Sequence, residues 1–222
     1  MSTNRVKRTV LKKKRLQQKR RKTMLLILIS LGAVLLIGSA AIIPNLLQSQ
    51  SSGGGGEGFT LGDPNAPVSV VNFSSFTCGH CENFSKTVEP DFVKNYIKTG
   101  NVYYRFVNLV ISDDEGVQNA GKAAYCAADQ NRFFDYKSHL YSASHQQDGF
   151  SPSNLVKIAE TVGLDNQLFK TCLEENGTLN AAFVKDLHYA QSLGVTGTPS
   201  FLVNDQLVYA NELIPLVDSL LN

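Results

Sequence analysis

The hydrophobic and polar positions first define a long apolar segment near the N-terminus. From Met24 to Leu47 the chain has no charged side chain. About 20 helical residues, at about 1.5 Å each, cross the roughly 30 Å hydrocarbon core of a membrane. The pattern therefore predicts a transmembrane anchor at residues 24–47. A cleaved signal peptide is the alternative, because Ser39-Ala40-Ala41 loosely resembles a cleavage site.

A β-α-β pattern follows after residue 59. The short, β-branched runs Val68–Phe73 and Val102–Val110 predict two buried strands. Between them, apolar residues at four-residue spacing predict an amphipathic helix; these are Phe84, Val88, Phe92 and Tyr96. We expect Pro90 to kink this helix and Gly100 to end it.

Helical patterns then occupy residues 113–193, approximately. They are predicted to be Val117–Gln130, Phe133–Tyr141, a helix from Ser151-Pro152 to Gly163, one from Asp165 to Gly177, and one through Phe183 to Gly194. One aromatic cluster is interpreted as the core of this block, with a substrate groove as the alternative; its members are Phe133, Phe134, Tyr136 and Tyr141.

Strand patterns return near the C-terminus. Ser200–Val203 and Gln206–Tyr209 are predicted to form a hairpin around a turn at Asn204-Asp205, and a helix from Glu212 to Leu221 closes the chain. The order β-α-β, helices, β-hairpin, helix predicts an α/β sheet with an inserted helical subdomain. The soluble part of a chain of 222 residues, 43% of them hydrophobic, is expected to form one domain, residues 59–222.

Charge is distributed unevenly along the chain. Residues 1–23 contain 11 of the 21 Lys and Arg and no acidic residue, so the remainder carries 10 basic against all 19 acidic residues. A basic block before an apolar helix predicts a cytoplasmic N-terminus, with residues after the helix outside. The acidic body is a poor candidate for binding nucleic acid.

Residues 48–58 are rich in Ser and Gly and are predicted to be a flexible linker of roughly 18 Å. It is too short to contain a separate dimerisation domain, and we expect a monomer.

The main candidate for chemistry is Cys78-Gly79-His80-Cys81, which follows the first predicted strand. The first sulfur would lie at a helix N-terminus, where free N–H groups and the helix dipole favour a thiolate. The second cysteine, one turn further on, is close enough to form a small disulfide ring. A protonated His80 would lower the pKa of Cys78 further. Such a pair can cycle between dithiol and disulfide.

A C-x-x-C pair could instead be half of a zinc site, which needs two more ligands. The other two cysteines are 46 positions apart, and the sequence has no second C-x-x-C or H-x-x-x-H pair. The remaining histidines, His139, His145 and His188, are scattered. We therefore expect no metal.

A second motif, Gly197-Thr198-Pro199, precedes the third strand. A proline before a buried strand indicates a special backbone, with a cis bond as one interpretation and an ordinary trans turn as the other. Together, TCGHC after a strand, the inserted helices and Val195-Thr196-Gly197-Thr198-Pro199 resemble the DsbA-like branch of the thioredoxin superfamily. The anchored form is similar to the BdbD-type proteins of Gram-positive bacteria.

The resemblance covers roughly residues 59–222 and implies a thioredoxin fold that performs thiol–disulfide exchange. It implies that Cys78 is the nucleophile, that Cys81 is the resolving cysteine, and that Pro199 is cis and packs against the disulfide. Thr198, with Gly197, would pair with an extended substrate peptide. No metal or organic cofactor is implied.

This sequence departs from the family at two positions before the motif. The family usually has an acidic residue six positions before the first cysteine, where this chain has Asn72, and often Asp three before it, where this chain has Ser75. The proton acceptor for Cys81 is therefore unassigned, with water as the default.

Cys126 and Cys172 remain once the first two cysteines are paired locally. We interpret them as a structural disulfide within the insertion. Two buried free thiols are the alternative.

The sequence thus predicts a membrane-anchored, extracytoplasmic oxidase that introduces disulfides into secreted or cell-envelope proteins. By family resemblance, a DsbB- or VKOR-type membrane protein would reoxidise it. A reductase or isomerase is the alternative with the same chemistry. A non-catalytic thioredoxin-like chaperone is the alternative from another class.

Overall fold

A mixed β-sheet organises the part of the chain that the computed structural model describes, residues 59–175 and 177–222. The predicted basic tail 1–23, anchor 24–47 and linker 48–58 lie outside these residues. Among the helices that are described, none has the length and apolar character needed to cross a membrane.

Five strands of the described residues form the sheet in the order β1-β3-β2-β4-β5. Their bounds are Thr60–Leu61 for β1, Val68–Ser74 for β2, Val102–Asn108 for β3, Ser200–Val203 for β4 and Gln206–Tyr209 for β5. The pair β2 and β3 is parallel, and the other neighbouring pairs are antiparallel. The four longer strands match the predicted ones, and the two-residue strand β1 was not predicted.

The central strand β2 is buried along almost its whole length, because it has a neighbour on each side and helices on both faces. Val70 pairs with Tyr104 of β3 and with Val203 of β4. This position sets the direction of the loop that leaves β2 at Ser74, and that loop leads to Cys78 and to the rest of the C-x-x-C motif in the first turn of the next helix.

The helices of the described residues fall into two groups. Around the sheet lie α1 (Gly79–Thr87), α2 (Glu89–Phe92), a π-helical turn (Val93–Ile97) and α8 (Ala210–Leu221). Between β3 and β4 the chain forms α3 (Glu115–Asp129), α4 (Phe133–Ala143), α5 (Pro152–Thr161), α6 (Asn166–Glu174) and α7 (Gly177–Ser192). The predicted insertion at about 113–193 therefore has the expected place in the chain.

Three helix predictions need correction. The single kinked helix through Phe84 is two helices, since α1 ends at Thr87 and Pro90 lies in the first turn of α2, where a missing N–H is tolerated. Gly177 begins α7 rather than ending α6. The last helix begins at Ala210, two residues before the predicted start.

Three members of the aromatic cluster predicted as the core of the insertion are buried, and the fourth, Phe134, is half-buried. Phe133 and Tyr136 are fully enclosed, and Phe59 from the start of the described chain packs on Phe133 with ring centroids 4.4 Å apart. Phe106 of β3 also contacts Phe133. These contacts attach the insertion to the sheet and fix the position of α4 beside the motif.

Candidate active site

Cys78 is the N-cap of α1, the first helix after the central strand. Its sulfur accepts a hydrogen bond from the backbone N–H of Cys81 at 3.4 Å. Free N–H groups and the positive end of the helix dipole therefore face this sulfur. Cys78 is half-buried and Cys81 is buried at 1% exposure, and both are free thiols.

The pKa of the Cys78 thiol is lowered. Partial burial alone would raise it, but a hydrogen bond from the Thr198 side chain, another from Cys81 and the backbone N–H groups of Cys81 and His80 outweigh burial. His80 thus acts on Cys78 through its backbone, and the effect of its exposed imidazole stays a prediction.

Cys81 has the opposite character. Burial in apolar surroundings raises the pKa of its thiol to about 11, and hydrogen bonds from Thr198, Ser75 and Ser74 reduce this effect only in part. The two sulfurs of one motif therefore differ in chemistry, because Cys78 loses its proton more readily than Cys81 does.

The second motif lies directly over the first. The peptide bond between Thr198 and Pro199 is cis, and the thiol of Cys78 donates to the backbone carbonyl oxygen of Thr198 at 3.3 Å. The hydroxyl of Ser200, the first residue of β4, donates to the carbonyl oxygen of Gly197 at 2.7 Å. Thr198 is thus placed beside Cys78, and Gly197 and Pro199 are its neighbours in the chain.

A cavity of about 370 Å³ opens next to the motif. It lies between α1, the loop at Pro199 and the start of α8, and its lining consists of His80, Asn83, Phe84, Val88, Thr198, Pro199, Tyr209, Ala210 and Asn211. The exposed Tyr209 and the half-buried Val88 contribute apolar surface to this cavity.

A buried polar network lies where the family usually has its acidic residue. Asn72 donates to the hydroxyl of Tyr104 at 2.7 Å, and this hydroxyl donates to Glu89 at 2.8 Å. Lys137 forms an ion pair with the same carboxylate. Sequence reasoning missed Glu89 and Lys137. The only signal in the sequence was that each is a charged residue on a helical face that is otherwise apolar.

Cys126 of α3 and Cys172 of α6 are joined by a disulfide, with their Cα atoms 5.7 Å apart. The bond connects two helices of the insertion across 46 positions of sequence. His145 pairs with Glu82 of α1 at 2.5 Å. Within the described residues, no group of His, Cys, Asp and Glu has an arrangement that could hold a metal ion.

Comparison with known proteins agrees with this geometry. A family model described as thioredoxin matches residues 55–219, about three quarters of the chain. The chain belongs to the thioredoxin family. Disulfide bond formation protein D of Bacillus subtilis is 28% identical over 153 residues, which cover 67% of this chain and 68% of that protein.

Solved structures of thioredoxin-family proteins superpose on the same region. Oxidised BdbD of Bacillus subtilis matches with a TM-score of 0.64 and 25% identity, over 73% of this chain and 92% of that one. DsbA of Chlamydia trachomatis, 23% identical with a TM-score of 0.62 over 72% and 88% of the chains, supports the fold. The predicted thioredoxin-like fold with a helical insertion is confirmed, and the chain is a thiol–disulfide oxidoreductase of the DsbA and BdbD type.

Proposed function

We propose that this enzyme is an extracytoplasmic oxidase that introduces disulfides into secreted or cell-envelope proteins. The contrast between the lowered pKa of Cys78 and the raised pKa of Cys81 is the observation that carries this proposal. A stabilised thiolate favours the reduced enzyme, and an enzyme whose reduced form is favoured oxidises its substrates.

The reaction begins with the Cys78–Cys81 disulfide. A substrate thiolate attacks the sulfur of Cys78, the enzyme disulfide breaks, and Cys81 leaves with the electron pair. The second substrate thiolate then attacks the substrate sulfur of the mixed disulfide. Cys78 leaves as a thiolate, so the substrate has lost two electrons and the enzyme has gained them.

Substrate binding is assigned to the loop beside Cys78. The backbone of Thr198 and Gly197 would pair with an extended substrate chain, and Pro199 would limit the approach to the sulfur. The adjoining cavity supports this, because it continues from Thr198 to the apolar side chains of Phe84 and Val88.

The N-terminal residues supply the proposed location. A cytoplasmic tail at 1–23, an anchor at 24–47 and a linker at 48–58 would hold the domain outside the membrane. The anchor would also keep it near a DsbB- or VKOR-type membrane protein that removes the electrons. The BdbD-type resemblance supports both proposals, and we propose that the protein acts as a monomer.

The test uses the oxidised full-length chain and a reduced, unfolded peptide with two cysteines. We expect peptide thiols to disappear in proportion to enzyme disulfide. Cys78→Ser should abolish the reaction, and Cys81→Ser should accumulate a mixed disulfide with the peptide. The double variant Cys126→Ser, Cys172→Ser is the matched control, because it also removes two cysteines and should still oxidise the peptide at a permissive temperature.

Two results would favour the alternatives. A Cys78–Cys81 potential near or below about −270 mV, the value of thioredoxin, would indicate a reductase or isomerase. Full protection of unfolded clients by Cys78→Ser, without peptide oxidation by the wild type, would indicate a thioredoxin-like chaperone.

A further inference from the structure

Glu82 directly follows Cys81 and carries a buried carboxylate in the first turn of α1. Both of its oxygens have a partner. Oε1 accepts a hydrogen bond from the ammonium group of Lys86, one helical turn further on, at 2.5 Å. Oε2 lies 2.5 Å from Nε2 of His145. The hydrogen bonds from Lys86 and His145 lower the pKa of Glu82, so this carboxylate is charged.

His145 reaches the carboxylate from the helical insertion. It lies two residues after Ala143, the end of α4, and 63 positions along the chain from Glu82. Its side chain is 65% exposed, whereas that of Glu82 is 12% exposed. Because an exposed side chain adds little to a hydrophobic core, the contact matters mainly through its effect on the carboxylate.

The carboxylate belongs to the same part of α1 as the sulfur of Cys78. Glu82 is four positions after Cys78, and its N–H donates to the carbonyl oxygen of Cys78 at 3.1 Å. Residues four apart lie on one face of a helix with Cβ atoms about 5–6 Å apart, and helical side chains lean toward the N-terminus. The sulfur lies over this turn, since it accepts from the N–H of Cys81. This separation is less than the Debye length of about 10 Å, so salt does not remove the effect of the charge.

The charge of Glu82 opposes the chemistry of Cys78. A negative charge in the first turn weakens the positive field that the N-terminus of a helix presents to a thiolate. A cation or hydrogen-bond donor on the carboxylate reduces this opposition. Lys86 supplies one such group from α1 itself, and His145 supplies the other from the insertion.

We propose that His145 is a positioning residue for thiol–disulfide exchange, because it binds the Glu82 carboxylate and thereby reduces the repulsion between that carboxylate and the Cys78 thiolate. The inference rests on the proposed role of Cys78 as the nucleophile. Neither Glu82 nor His145 exchanges a proton or an electron with the substrate. The insertion thus helps to stabilise the thiolate that leaves when the substrate disulfide forms.

The experiment measures the equilibrium of the Cys78–Cys81 pair with glutathione in the full-length chain. His145→Ala removes one partner of the Glu82 carboxylate. Because partly exposed charges interact modestly, we expect the equilibrium to shift away from the reduced enzyme about twofold to threefold. His139→Ala, an exposed substitution on α4, is the matched control and should behave like the wild type. Equal equilibrium constants for His145→Ala and the wild type would overturn the inference.

A second substitution tests whether His145 acts through Glu82. Glu82→Gln removes the negative charge and should shift the equilibrium toward the reduced enzyme. In this background we expect His145→Ala to have little effect. The same shift in both backgrounds would contradict the inference, because His145 would then act on Cys78 without Glu82.

The rate of alkylation of Cys78 by iodoacetamide, followed against pH, provides an independent measurement. The pKa of Cys78 should be higher in His145→Ala than in the wild type, and lower in Glu82→Gln. If the wild type fails to oxidise the two-cysteine peptide, the proposed function fails. If it oxidises the peptide but His145→Ala changes neither the equilibrium nor this pKa, the present inference alone fails.

Discussion

The thiol of Cys78 lies 3.3 Å from the carbonyl oxygen of Thr198, although 120 positions separate the two residues. The contact joins the start of α1 to the loop before β4. Its consequence is that the chemistry of Cys78 depends on a residue contributed by the other end of the fold.

Thr198→Val tests this dependence. The Thr198 side chain lowers the pKa of Cys78, so removing its hydroxyl should raise that pKa. A higher pKa leaves less thiolate at a pH below it, and alkylation of Cys78 by iodoacetamide should slow about tenfold for each unit of pKa. Thr198→Ser keeps the hydroxyl and should alkylate like the wild type. Superimposable pH profiles for Thr198→Val and the wild type would contradict the prediction.

A second prediction concerns His80, whose imidazole is exposed beside Cys78. Replacement by Gln keeps the backbone N–H that acts on Cys78 and removes the charge of the protonated ring. We expect the pKa of Cys78 to rise and the protein to become less oxidising. Thiolate absorbance followed against pH measures the effect, with His139→Gln as the control. If His80→Gln and His139→Gln had the same pKa of Cys78, the whole influence of His80 on Cys78 would come from its backbone.

Local patterns were enough to predict most of the fold. The β-branched run Val68–Phe73 predicts a strand from adjacent residues alone, and the structure has β2 at this place. In the same way, Asp165 predicts a helix start, and it is the N-cap of α6. The break at Val88 could not be predicted as readily, because the apolar spacing continues from α1 into α2. The C-x-x-C motif was equally visible, since both cysteines belong to one turn.

The buried polar network that includes Asn72 could not be predicted, because its other members come from distant parts of the chain. Glu89, Tyr104 and Lys137 belong to a helix, a strand and an inserted helix, and only packing brings them together. In sequence, Lys137 has the appearance of a solvent-exposed lysine. Tertiary geometry decides which of these polar atoms are paired.

Lys137→Met tests the buried pair. Glu89 and Lys137 are 5% and 3% exposed, so removing the ammonium leaves a carboxylate unpaired in the core. Such a loss typically costs about 3–5 kcal/mol of unfolding free energy. Urea denaturation measures the change. The double variant Lys137→Met, Glu89→Gln removes both charges and should recover part of the loss; a double variant less stable than Lys137→Met would contradict this account.

The Cys126–Cys172 disulfide gives a fourth prediction. It closes a loop of 46 positions within the insertion, and in the chain-entropy model such a loop contributes roughly 4 kcal/mol to stability. The variant Cys126→Ala, Cys172→Ala should unfold at a lower urea concentration, in reducing and oxidising buffer alike. The wild type should match it only in reducing buffer. Equal midpoints for the oxidised wild type and the variant would show that the bond does not stabilise the fold.

The last prediction is a pH dependence at Asp186 of α7. Its side chain is buried and accepts a hydrogen bond from Tyr125, and burial raises its pKa from 3.8 to about 6, against the opposing effects of Tyr125, Arg105 and Lys185. Because the pKa of Asp186 is higher in the folded than in the unfolded state, its protonated form stabilises the fold. This contribution to stability is complete below about pH 4. It is lost as the pH rises through about 6, and the loss amounts to about 3 kcal/mol.

Asp186→Asn has no carboxylate to titrate at this position. The unfolding free energy of the wild type minus that of Asp186→Asn should therefore fall between about pH 4 and pH 6.5 and stay constant above it. Glu160→Gln, an exposed substitution, is the control and should show a nearly constant difference. If this free-energy difference between the wild type and Asp186→Asn instead rose with pH, the folded protein would have to stabilise the charged carboxylate. That result would contradict the prediction.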